Sequence, residues 1–175
     1  FLASFFMPFT DRLSKSELLG DSNAKEYDMV QQYYMDDAVN EAQYVALKKA
    51  GKQVSRKYVG MYVMSVAKNS NFKNKLKIGD VVTAIDGKHY NSSQEFIKLI
   101  SKYRSGKEIT VTYLHNGKPK RAEGQTIMLD SVHRAGIGIT LADRTEVSSP
   151  IKVSADMKGI GGPSAGLMMT LAIYQ

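Results

Sequence analysis

The sequence contains no cysteine and no tryptophan, and it has only four prolines and three histidines. Without cysteine, the chain has no disulfide bonds and no thiolate chemistry. His89, His115 and His133 stand far apart and lack the short spacing of zinc ligands, so we predict neither a metal site nor a cofactor. No apolar run approaches the ~20 residues of a membrane-spanning helix. What remains is typical of a globular protein of 175 residues.

Positive charge is unevenly distributed along the chain. The net charge is +7, and residues 60–130 carry twelve Lys and Arg against six Asp and Glu. Nucleic-acid binding is not expected, because the chain has neither an aromatic-basic RNA signature nor a basic helix. The charge instead indicates a solvated surface, or attraction to an anionic cell envelope or an acidic peptide.

The first clear element is a helix from Asp28 to Gly51. Asp28 can cap its N-terminus, alanine and valine recur at helical spacing, and Gly51 follows a basic last turn as the stop. Asp36 and Asp37 are adjacent in the helix and point in different directions. They predict a solvated acidic face, not a metal site.

The next part of the chain has the pattern of a small α+β domain. The run "YVGMYVMSV" and Val81–Ile85 predict strands, and Asp86-Gly87 predicts a tight turn. Ser92 and Glu95 have the spacing of a capping box and start a helix that extends to Tyr103. Two further strands are joined at Asn116-Gly117, which is a strong hairpin signal.

Two segments of this part resemble PDZ domains of bacterial proteases. The run "LKIGDVVTAIDGKHYNSSQEFIKLI" is similar to the Gly-Asp turn, strand and helix of that family, and "VGMYV" is similar to its carboxylate-binding loop. The resemblance implies a peptide or protein ligand held between this loop and the helix that starts at Ser92. The peptide-binding residues it implies are Val59, Gly60, Met61, Tyr62 and Val63.

Near the end of the chain the run "GIGGPSAGLMMTL" surrounds Ser164 with glycines. It fits neither a P-loop nor a dinucleotide-binding motif, and no histidine follows it as an α/β-hydrolase requires. Pro163 suits the first turn of a helix, whose free N–H groups can stabilise an oxyanion. The same features suit a plain helix cap, so the residues alone leave both interpretations open.

The run "IGGPSAGLMMTLAIY" resembles the nucleophile segment of Lon-type serine proteases, in particular the membrane-anchored PDZ–Lon proteases of Gram-positive bacteria. The upstream "KKAG" and "GIGI" segments also resemble that group, and within it the sequence is similar to streptococcal pheromone-processing proteases. The resemblance implies that Ser164 is the nucleophile of a Ser-Lys dyad. It also implies that the nucleophile turn is formed by Gly161, Gly162, Pro163 and Ala165.

The lysine of that dyad lies beyond Gln175 in the family. Lys158 is a poor substitute, because its glycine-flanked polar setting does not provide the burial that brings a lysine pKa towards neutrality. We therefore expect the chain to be an inactive piece of a longer enzyme. The resemblance further implies an N-terminal membrane anchor before Phe1 and a site at the extracellular face of the cell membrane.

The resulting expectation is an α+β fold in which a PDZ domain is inserted into an incomplete Lon-type protease domain. The PDZ domain takes residues 58–130, and the protease domain takes residues 1–57 and 131–175. The implied function is a serine endopeptidase that cleaves a secreted or membrane-associated peptide, such as a signalling pheromone. The alternative is a non-catalytic PDZ module that binds peptides or acts as an envelope adaptor.

Overall fold

A mostly antiparallel sheet and two helices make up the computed structural model, which describes residues 24–130 and 132–151. The helices are α1 (Ala24–Lys49) and α2 (Ser93–Ile100). The strands are β1 (Ser55–Val66), β2 (Val81–Ile85), β3 (Lys88–His89), β4 (Glu108–His115), β5 (Lys118–Gln125), β6 (Ile127–Leu129), β7 (Arg134–Gly136) and β8 (Ile139–Ser148).

The main sheet has six strands in the order β5-β4-β2-β1-β8, and the short β3 pairs with β2. Each pairing is antiparallel. The longest is β1 with β8, which runs from Ser55 opposite Ser148 to Val66 opposite Ile139 and contains two register shifts. Strands β6 and β7 form a separate hairpin. The order leaves β5 and β8 at the two ends of the main sheet.

The two faces of the sheet bury two different cores, because successive side chains of a strand point to opposite faces. On one face α2 packs over a large core that includes Met61, Val63, Phe72 and Phe96. On the other face α1 covers a smaller cluster. That cluster contains Val30, Tyr33, Tyr62 and Met64, with Ile78, Val81 and Ala142 packed against it.

The two tight turns that the sequence predicts are confirmed. Asp86-Gly87 has φ values of 49° and 72°, and Asn116-Gly117 has 50° and 75°. Positive φ at both central residues is the signature of a tight hairpin turn. The strand Val81–Ile85 has the predicted bounds. The predicted helix from Asp28 is also present, but it already begins at Ala24, so Asp28 lies inside the helix and is not its cap.

Helix α2 begins as a modified capping box. The Ser92 Oγ accepts from the Glu95 N–H at 3.3 Å, as predicted, whereas the Glu95 carboxylate accepts from the Asn91 N–H at 2.8 Å, one residue before the cap. The helix ends at Ile100, earlier than expected. Tyr103 lies beyond that end and still packs against the main core.

The α+β class is confirmed, and the division into three segments stays a prediction. Strand β1 begins at Ser55 and β8 spans Ile139–Ser148. The sheet therefore includes residues from both segments that were assigned to the protease domain. In the described part of the chain, neither helix combines the length and the apolar character needed to cross a membrane.

Candidate functional site

Strand β8 has one edge that faces no other strand of the described residues. The Tyr33 hydroxyl donates to the Asp143 carbonyl, and the Asn40 amide donates to the Thr145 carbonyl at 3.4 Å. Both carbonyls thus point away from β1. Because backbone groups alternate in direction along a strand, those of Ile139 and Leu141 point to the same open edge.

The side chains beside this edge face helix α2. Ile139 and Leu141 are half-buried and pack against the main core, which lies under α2. Ala142, the residue after Leu141, packs instead against the cluster under α1. The alternation therefore places an apolar strip of β8 next to the open edge, on the side of α2.

The first turn of α2 approaches β8 directly. The Ser93 hydroxyl donates to the Asp143 carboxylate at 3.2 Å. Ile97 lies one helical turn further along the same side of α2 and is half-buried. Helix α2 and the edge of β8 thus form the two walls of a groove with an apolar lining, which we call the β8–α2 groove.

A glycine-containing loop, Gly136–Gly138, leads into β8 at one end of the groove. The Ser70 hydroxyl donates to the Ile137 carbonyl at 2.6 Å, and the Ala67 N–H donates to the Gly138 carbonyl at 2.9 Å. Gly138 has φ +66°, and a Cβ there would lie 2.8 Å from the Ile127 Cδ1. The backbone conformation and the close packing both require glycine at this position.

Asp143 marks the other end of the groove. Besides the bond from Ser93, its carboxylate accepts a hydrogen bond from the Tyr58 hydroxyl at 3.2 Å. Burial raises the pKa of Tyr58, and the neighbouring charge of Asp143 and this hydrogen bond raise it further. Tyr58 is therefore a stable hydrogen-bond donor that fixes the direction of the carboxylate.

The predicted carboxylate-binding loop, Val59–Val63, has a different geometry in the structure. These residues lie inside β1, with β8 on one side and β2 on the other. The Val63 N–H donates to the Asp80 carbonyl at 2.8 Å, so its backbone is already used within the protein. The five residues therefore form part of a central strand and not a loop, and their contact with a peptide stays a prediction.

Sequence reasoning missed the Gly136–Gly138 loop and the residues of β8, although one signal was present. Ile137-Gly138-Ile139 has the same apolar-glycine-apolar pattern as Val59-Gly60-Met61. In the sequence, the "GIGI" run resembles the PDZ–Lon protease group and does not by itself indicate a peptide site. The presence of this pattern at two places shows that it cannot by itself identify the loop.

The predicted catalytic residues lie outside the described residues. These are Ser164 with the turn residues Gly161, Gly162, Pro163 and Ala165; Lys158 lies outside them as well. Within the described ranges no group of three or more His, Cys, Asp or Glu side chains is placed to hold a metal ion.

One buried acid is notable: Asp80 is 2% exposed, and its carboxylate pairs with the His115 ring at 2.7 Å.

Several solved structures are similar to part of this chain. Among solved structures, the chain is similar to the PDZ domain of an SdrC-like protein from Listeria monocytogenes, with 39% identity, a TM-score of 0.46, and coverage of 49% of this chain and 90% of that one. The PDZ domain of an SdrC-like protein from Listeria innocua is 35% identical, with a TM-score of 0.45 and coverage of 47% of this chain and 92% of that one. A protein from Geobacillus thermodenitrificans is 30% identical, with a TM-score of 0.42 and coverage of 46% of this chain and 94% of that one.

Among curated proteins, none matches the chain. The model of the PDZ domain family matches residues 28–125, which is more than half of the sequence. This match includes most of α1 and the strands from β1 to β5. The chain therefore belongs to the PDZ domain family.

Proposed function

We propose that this chain binds an extended peptide in the β8–α2 groove. The observation that carries the proposal is the open edge of β8 next to the half-buried Ile139 and Leu141. An extended peptide can add to such an edge as a further strand, with main-chain hydrogen bonds for affinity and side-chain pockets for specificity. Membership of the PDZ family, whose domains are peptide-binding modules, supports the same function.

The peptide runs antiparallel to β8 in this proposal. Its C-terminal end then lies at the Gly136–Gly138 loop, and its preceding residues pass along Ile139 and Leu141 towards Asp143. A tightly held glycine loop at the end of an edge strand suits the capture of a chain terminus by backbone groups. The bonds from Ser70 and Ala67 hold this loop in place before the peptide arrives.

Leu141→Arg tests the groove, because a long charged side chain there competes with the peptide for the apolar lining. Thr140→Arg is the matched control, since Thr140 is the preceding residue of β8 and points to the opposite face. Fluorescence polarisation with a set of labelled peptides should show at least about a fivefold loss of affinity for the first variant only. Equal affinity in both variants would overturn the assignment of the groove.

We further propose that the peptide bound here is the substrate of a serine endopeptidase to which this module belongs. The support is the resemblance of the "IGGPSAGLMMTLAIY" segment to the nucleophile segment of Lon-type serine proteases, in which Ser164 would be the nucleophile of a Ser-Lys dyad. The substrate is a secreted or membrane-associated peptide, and the enzyme is anchored by an N-terminal segment at the extracellular face of the cell membrane. A non-catalytic peptide-binding module or envelope adaptor is the alternative, and it requires only the groove.

A further inference from the structure

We propose that the β8–α2 groove selects peptides with a basic side chain, lysine or arginine, at the position that faces Asp143. This inference rests on the proposed peptide-binding function and adds the chemical class of the ligand. It concerns an internal residue of the peptide, because Asp143 lies at the end of the groove away from the Gly136–Gly138 loop.

The first observation is the unbalanced charge of Asp143. Its carboxylate accepts hydrogen bonds from two neutral hydroxyls, those of Tyr58 and Ser93. Among residues 24–130 and 132–151, no Lys, Arg or His side chain forms an ion pair with it. A carboxylate offers about four acceptor sites, so this one can accept further hydrogen bonds from a ligand.

Glu95 in the first turn of α2 adds negative charge at this end of the groove, since it is near enough to interact with Tyr58. Asp37 of α1 also interacts with Asp143, but it interacts more strongly with Arg144. Arg56 is neutralised by Glu41 at 2.7 Å. Arg144, the remaining nearby cation, follows Asp143 on β8 and therefore points to the other face of the sheet.

Three basic residues of the module lie far from Asp143. Lys118, Lys120 and Arg121 are exposed on β5, which is at the opposite end of the sheet from β8. These three charges therefore do not attract an acidic peptide to the end of the groove at Asp143. Asp143 and the basic residues of β5 lie on separate surfaces of the sheet.

The geometry makes Asp143 suited to selection as well as to attraction. The hydroxyls of Tyr58 and Ser93 hold the carboxylate in one direction between the strand and the helix. A charge that is already oriented loses little conformational entropy when a cation binds. A glutamate in the peptide at the same position meets a like charge, which is unfavourable.

The test uses the whole chain and fluorescence polarisation with matched peptides that carry lysine, glutamine or glutamate at each internal position in turn. At the peptide position that faces Asp143, replacing glutamine with lysine should improve the affinity by about fivefold at low salt. Asp143→Asn should abolish this preference. Glu146→Gln should preserve it, because Glu146 is an exposed acid of the same strand that points to the opposite face.

The outcomes separate the two proposals. If peptides bind and depend on Leu141, but the lysine preference is missing or survives Asp143→Asn, the selection by Asp143 is wrong and peptide binding stands. If no peptide of the set binds, the proposed function itself fails. Should Asp143→Asn unfold, the salt dependence of the wild-type preference decides, since a charge-based preference must shrink as salt screens it.

Discussion

At the scale of single residues, Gly60 shows how closely the central strands approach one another. It has φ +151°, and a Cβ at this position would lie 2.4 Å from the Val82 carbonyl oxygen of β2. That oxygen belongs to the backbone and cannot move aside easily. Gly60 is therefore required by the close approach of β1 to β2, and not by an open ligand-binding loop.

We predict that Gly60→Ala destabilises the fold strongly, because it adds a clash with β2 to an unfavourable φ. Gly87→Ala is the matched control, since Gly87 has φ +72° and nothing within 4 Å of its added Cβ. The control should cost ~1–2 kcal/mol, the usual cost of positive φ for an L-residue. Urea unfolding of both variants measures the difference. Similar costs for the two would show that β2 does not restrict position 60.

At the scale of elements, helix α2 is short and depends on its cap. It spans Ser93–Ile100, only eight residues, and an isolated helix of this length is unstable in water. The Ser92 hydroxyl and the burial of Phe96 and Ile100 therefore hold it in place. Because α2 is one wall of the groove, its cap contributes to binding as well as to stability.

Ser92→Ala should reduce the free energy of unfolding by about 1 kcal/mol through loss of the N-cap. It should also weaken peptide binding, since the wall of the groove frays more often. Ser101→Ala is the control at the other end of α2, where the hydroxyl bonds to the Lys98 carbonyl, and its effect should stay within about 0.5 kcal/mol. Thermal unfolding and peptide titration of the two variants check both effects. A larger loss in the control would contradict the capping argument.

The elements that the sequence predicted well are those fixed by local chemistry. The turns Asp86-Gly87 and Asn116-Gly117 need residues that tolerate positive φ, and these pairs provide it. The place of β8 depends on distant residues. It pairs with β1, more than seventy positions earlier in the chain, and no local pattern in "ITLADRTEVS" indicates which strand it joins or that it lies at an edge.

At the scale of the whole molecule, the sequence predicts the family, the α+β class and α2 as one wall of the groove, but it does not predict β8 as the other wall. The pattern Val59-Gly60-Met61 is compatible with a loop and equally with a bulged central strand. The strands that pair with this segment distinguish the two conformations, and the sequence does not show which strands these are. In the fold, β8 lies on one side of it and β2 on the other. The charge around Asp143 cannot be inferred from the sequence either, since net charge does not tell where acids and bases lie in the fold.

The proposed protease activity is tested in the full-length protein by Ser164→Ala. We predict that peptide cleavage falls almost to zero, because the remaining groups of a dyad are poor catalysts alone. Peptide binding in the β8–α2 groove should persist, since the residues that define the groove do not include Ser164. Cleavage assays and polarisation titrations on the same preparation measure both. Wild-type cleavage by this variant would rule out Ser164 as the nucleophile and favour the non-catalytic module.

The central claim, that the peptide adds to the edge of β8 beside α2, is tested most directly by amide chemical shifts. A ¹⁵N-labelled sample of the chain is titrated with an unlabelled peptide that binds by polarisation. We expect the largest shifts at the N–H groups of Ile139, Leu141 and Asp143 and along Ser93–Ile100, with little change on β5 at the other end of the sheet. Largest shifts on β5, or on α1 away from β8, would contradict it.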